Sequence, residues 1–182
     1  MRFAVTIIVA MLAAAPAQGA GEPFGLLDIS LGASYARLER DLDFRYITTS
    51  LAQMKGNTPD LGKRGYGCMR RDDPQADVGC VSHVEKLDGV DTREIRLHFL
   101  NGRLYQFSMS AEIRHYDAVI AQLRARNGAP LAASDDAAVR WQNESGLIAA
   151  YRGKDLVFVN FELATYPDAV QRKRDGATLE CN

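Results

Sequence analysis

Cysteine, histidine and tryptophan are scarce in this chain: its 182 residues hold three, three and one of them. The histidines, His83, His98 and His115, stand at spacings that no metal-ligand pattern uses. No Gly-x-Ser-x-Gly elbow presents a serine nucleophile. The carboxylates at Asp72, Asp73 and Asp77, and at Asp135-Asp136, lack the alternating ligands, glycine and terminal Glu of a calcium loop, and read as solvated turns. The sequence thus points to no catalytic residue, no metal site and no cofactor. An excess of either charge is missing as well, since the net charge is −1 with His neutral. That balance argues against nonspecific nucleic-acid binding, which needs a basic footprint. After the first fifteen residues no apolar run approaches the ~20 residues that span a bilayer.

What is present begins at the first residue. Arg2 supplies one positive charge, Phe3 to Ala15 is apolar apart from Thr6, and small residues follow through Ala20. Charge, apolar run and small-residue cleavage site in that order make a secretory signal. Ala15-Pro16-Ala17 sets the cut before Gln18, and a cut after Ala20 fits nearly as well. No cysteine follows, so no lipid attaches there. Residues 1–20 are expected to be removed, leaving a soluble protein in an oxidising space, the periplasm. The remainder has 21 bases against 23 acids, a net charge of −2. Its roughly 160 residues suffice for a real core without staples.

In that compartment a cysteine pair is oxidised. Cys68 and Cys80 flank the turn Asp72-Asp73-Pro74, and pairing them sets Arg70 opposite Val78 and Asp72 opposite Ala76. The competing reading is a metal site from Cys68, Cys80 and His83, which lacks a fourth ligand. Compartment and spacing favour the disulfide. Cys181 is left over, as a free thiol or a bridge between chains.

The pattern of elements is α+β. Ser34 is a helix N-cap, followed by Tyr35, Leu38 and Leu42 on one face, although Arg37 sits where a capping box has Glu. A second helix runs over 114–127 with the stripe Tyr116, Val119, Ile120 and Leu123. It ends at Asn127-Gly128, with Pro130 beyond. Residues 93–109 alternate around Asn101-Gly102. A three-residue loop 100–102 pairs Phe99 with Arg103, Leu97 with Tyr105 and Ile95 with Phe107, which gathers the apolar residues on one face. The same logic at Glu144-Ser145-Gly146 sets Trp141 opposite Ala149 and Val139 opposite Tyr151. Gly153-Lys154 then turns into the alternating strand 156–163. Weaker strands lie near 66–71 and 78–86, and residues 50–64 read as a loop. Residues 21–112 and 113–182 thus form tandem halves, each a helix plus an antiparallel meander, with the helices packed on one face of the sheet and a tail at the end.

Leu31, Gly32 and Ser34 at the first helix start, and Gly128 and Pro130 after the second, carry a resemblance across most of the chain after residue 20. In this order, with meanders closing on Asn-Gly or Ser-Gly, the chain resembles small envelope proteins of the β-lactamase-inhibitor-protein type and the related outer-membrane assembly lipoprotein domains. Unlike the assembly lipoproteins, it has no lipidated cysteine. The resemblance implies a protein-binding module, an inhibitor or assembly factor whose partner is another envelope protein, and carries over no catalytic residues.

The alternative partner is an anionic envelope polymer, met by basic side chains on a strand face. Arg96, His98 and Arg103 are the candidate binding face; Lys63, Arg64, Arg70, Arg71 and Arg172-Lys173-Arg174 are further basic groups. Trp141, beside Val139 in an alternating strand, is expected in the core.

Overall fold

The computed structural model describes residues 23–26, 29–42, 44–46, 65–82, 90–131 and 138–180. Residues 1–22, with the expected signal segment, and residues 50–64, His83, Asp135-Asp136 and Cys181 lie outside the described residues. In chain order the elements are β1 (Gly25–Leu26), β2 (Ile29–Ser30), α1 (Tyr35–Asp41), β3 (Phe44–Tyr46), β4 (Tyr66–Asp73), β5 (Ala76–Ser82), β6 (Thr92–Leu100) and β7 (Arg103–Glu112). A single 3-10 turn, Ile113–His115, leads into α2 (Tyr116–Asn127), followed by β8 (Ala138–Asn143), β9 (Gly146–Arg152), β10 (Leu156–Leu163) and α3 (Tyr166–Glu180). The fold is α+β. Its main sheet runs β3-β4-β5-β6-β7-β10-β9-β8, antiparallel except for β3, which pairs parallel with β4 at one edge.

Both expected helices form. The Arg37 N–H donates to Ser34 Oγ at 3.3 Å, as an N-cap requires, and Leu38 is fully buried. Val119, Ile120 and Leu123 are the buried stripe of α2, and Gly128 closes it with φ 77°, its N–H donating to the Arg124 carbonyl.

The hairpins correct the expected loops. Asn101 and Gly102 alone form the first turn, both with positive φ, and Leu100 pairs with Arg103. Two residues in the left-handed region suit the twist of a two-residue hairpin, and Asn-Gly tolerates it. A bulge at His98/Phe99 then restores the faces: Phe99 pairs with Leu104, Leu97 with Phe107 and Ile95 with Met109. Buried Leu104, rather than Arg103, thus stands opposite Phe99, and Phe107, rather than Tyr105, opposite Leu97. The second hairpin also has two loop residues, Glu144 and Ser145, and Trp141 pairs with Ile148 and Val139 with Ala150. There Asn143 Oδ1 accepts from the N–H groups of Ser145 and Gly146, at 2.8 and 3.0 Å. Gly146 is the first residue of β9 rather than the last of a three-residue loop, and it is not among the residues with positive φ. Its missing Cβ makes room for the Glu162 carbonyl and for Leu31 Cδ1, which would lie 3.3 Å away.

Cys68 and Cys80 are paired residues of β4 and β5, joined as a disulfide with sulfurs 2.06 Å apart. Arg70 faces Val78 as expected, but a bulge brings Asp73, rather than Asp72, opposite Ala76. Residues 166–180 fold as α3 where the sequence suggests a tail.

The two meanders meet at β7 and β10, which pair antiparallel. The order β5-β6-β7 on one side therefore mirrors β8-β9-β10 on the other, about a pseudo-twofold axis at that seam. The helices follow it. Tyr35 N–H, opening α1, donates to Gly102 in the β6–β7 turn at 2.8 Å; Ile113 N–H, leading into α2, donates to Asp155 in the β9–β10 turn at 3.0 Å. One core results, joining Leu38 of α1 and Val119, Ile120 and Leu123 of α2 to Leu97, Phe107, Val159, Phe161 and Ile148 of the sheet. Phe107 and Phe161 stack across the seam, ring centres 4.1 Å apart. Among the described residues, no helix is long and apolar enough to cross a membrane.

Candidate functional site

Side chains alternate across a strand, so the face turned away from α1 and α2 follows from the register. It reads as three rows. His98, Gln106, Glu162 and Leu147 cross β6, β7, β10 and β9 in the first. Arg96, Ser108, Asn160, Ala149 and Arg140 form the second. Glu94, Ser110, Phe158, Tyr151 and Ala138 form the third. The β6 side of this surface is charged, the β7–β10 seam is polar along Gln106–Glu162 and Ser108–Asn160, and an aromatic pair lies where Phe158 of β10 meets Tyr151 of β9.

Phe158 and Tyr151 are Cα partners on neighbouring strands and are 47% and 41% exposed. With Leu131, they are the exposed large hydrophobic residues among those described. Leu131 N–H donates to the Arg140 carbonyl at 2.7 Å, which places its backbone along the outer edge of β8. Ala149 and Ala138 beside Tyr151 are buried and small. Two neighbouring aromatic side chains this exposed on a sheet face make an apolar patch of the kind that marks an interaction site.

The expected face Arg96, His98 and Arg103 divides. His98 stands opposite in parity to Leu97 and Phe99, as the alternation requires, and is half-buried; Arg96 is two residues away on the same face. Arg96 Nε is ion-paired with Glu94 Oε1. Arg103 lies apart at the β6–β7 turn, bridged through its backbone to Ser34. Trp141 is in the core, 2% exposed, its indole N–H donating to the Gly128 carbonyl at 3.0 Å. The disulfide occupies both sulfurs that the metal reading required. Among the described residues, no group of three His, Cys, Asp or Glu is placed to hold a metal ion.

Glu162 is the perturbed acid of this face. Burial raises its pKa, and hydrogen bonds from Gln106, at 3.3 Å, and Asn160 oppose the rise. A carboxyl whose folded pKa lies above its unfolded value binds more protons when folded. Stability therefore falls as pH rises through that window, and the penalty is complete above it. Glu162→Gln removes the charge and keeps the shape. We expect it to raise the melting temperature by on the order of 1 °C at about pH 7.5 and to leave it unchanged near pH 3, measured by calorimetry.

The alternation of Val157, Val159, Phe161 and Leu163 marks the core side of β10 and does not single out Phe158 on the other. Its position between Val157 and Val159 was the available signal. Comparison with protein-family models, curated proteins and solved structures returned no match to this chain.

Proposed function

We propose that this chain is an exported, non-enzymatic binding module that engages another protein of the cell envelope through the open face of its sheet. The observation that carries this reading is the exposed pair Phe158 and Tyr151, side by side next to polar Ser110, Ser108 and Asn160. Interface anchors are aromatic side chains of this kind, set within a polar rim, and here Arg96, Glu94 and Arg140 supply the rim. Export and a periplasmic location rest on the N-terminal signal pattern, and the Cys68–Cys80 disulfide fits an oxidising destination. Binding of an anionic polymer by Arg96, His98 and Arg103 draws less support, since Arg96 is paired with Glu94 and Arg103 sits at the β6–β7 turn, bridged to Ser34, outside the three rows.

The test is capture of a partner from an envelope extract by the purified chain. The wild-type protein is expected to retain a discrete protein, and the doubly substituted Phe158→Ser, Tyr151→Ser variant to lose at least about tenfold of that binding. Equal retention by both forms would overturn the assignment of the face. Salt-sensitive retention on anionic polymer, abolished by Arg96→Ala and untouched by the aromatic substitutions, would favour the polymer reading.

A further inference from the structure

Helix α3 stands outside the main core, to which none of its described side chains belongs. Its buried described residues are Tyr166 and Ala169, both in its first turn. The helix is tied to the opposite end of the chain's first meander. The Tyr166 hydroxyl donates to the Gln75 carbonyl at 3.1 Å, in the β4–β5 turn, and its ring meets Tyr105 at 6.1 Å. Lys173 Nζ donates to the Ala76 carbonyl at 3.3 Å and to Asp77 Oδ1 at 2.7 Å. The other oxygen of Asp77 accepts the Asn101 N–H at 2.6 Å, so one carboxylate links α3 to the β6–β7 turn.

Two buried residues flank these bonds. Ala76 and Leu100 are fully buried, yet neither belongs to the main core. Ala76 carries the carbonyl that Lys173 reaches, and Leu100 precedes Asn101.

We propose that α3 is a strap, latched by Lys173 on Asp77, that opens while the sheet stays folded and so frees the β4–β5 and β6–β7 turns it ties together. The energetics favour a separate opening. Among the described side chains, lifting α3 exposes two buried ones, in its first turn, whereas separating β7 from β10 breaks the main core; regions with few buried apolar contacts open at lower free energy. The latch is itself half in water, with the Lys173 and Asp77 side chains 29% and 41% exposed, and such pairs are weak and screened by salt.

Hydrogen exchange on the full, disulfide-bonded chain tests the strap. Amides within 168–176 are expected to exchange at least about a hundredfold faster than the paired amides of β7 and β10. Lys173→Met, and likewise added salt, is expected to speed α3 severalfold and leave β7 and β10 unchanged. Equal protection of α3 and β10 in the wild-type protein would overturn the strap. Unchanged α3 exchange in Lys173→Met would overturn the latch.

Discussion

Trp141→Ala is expected to lower the unfolding free energy by about 3–5 kcal/mol, the range for deleting a large buried aromatic side chain. The indole is 2% exposed, packs in the core opposite Ile148, and ties β8 to the end of α2 through the Gly128 carbonyl. Two losses therefore combine: the cavity left by the ring, and a carbonyl at a helix terminus deprived of its donor. Trp141→Phe separates them, since it keeps most of the volume and removes only the N–H. Its expected cost is about 1–2 kcal/mol. Equilibrium denaturation followed by circular dichroism measures both without relying on the missing fluorophore. A cost under about 1 kcal/mol for Trp141→Ala would place the indole outside the core.

Removing the disulfide is the second large effect. Cys68 and Cys80 are 12 residues apart, so the bond closes a short loop and restricts the unfolded chain, which on the chain-entropy model contributes about 3 kcal/mol. The two residues are 0% and 1% exposed, beside Tyr66, whose hydroxyl pKa burial pushes up to about 12. Cys68→Ala, Cys80→Ala is thus expected to destabilise by about 3 kcal/mol or slightly more, because small voids replace the sulfurs in a packed site. Its urea midpoint should no longer respond to reductant, whereas that of the wild-type protein should fall when the bond is reduced. Mass spectrometry of unreduced material is expected to find both thiols blocked to alkylation.

Much of this architecture is legible in the sequence, and what escapes has local physical causes. Periodicity at 3.6 marks α2, and Gly128 marks its end, because caps and stripes are short-range signals. Cys68 opposite Cys80 follows from a strand pair with a turn between. The hairpin loops escape because two rules compete. Asn101-Gly102 demands a two-residue turn, while segregation of Ile95, Leu97, Phe107 and Met109 demands a shift of one residue. The chain satisfies both with a bulge at His98/Phe99, a device that alternation alone does not reveal. Helix α3 escapes for another reason: its buried side chains cluster at Tyr166 and Ala169 and the rest of its described surface is largely charged, so there is little apolar stripe to read. The candidate face is half legible. Parity along β6 places Arg96 and His98 together, but the company of Phe158 and Tyr151 depends on the β9–β10 register, and the place of Arg103 beside Leu100 depends on the turn.

Site-specific photocrosslinking in living cells tests the central claim most directly. A photoreactive side chain replaces Phe158 on the open face in one form of the protein, and Ala118, exposed on α2 at the opposite side of the sheet, in another. The account predicts a discrete protein adduct from position 158 and none from position 118. An adduct from 118 alone, or the absence of any adduct from 158, would contradict it.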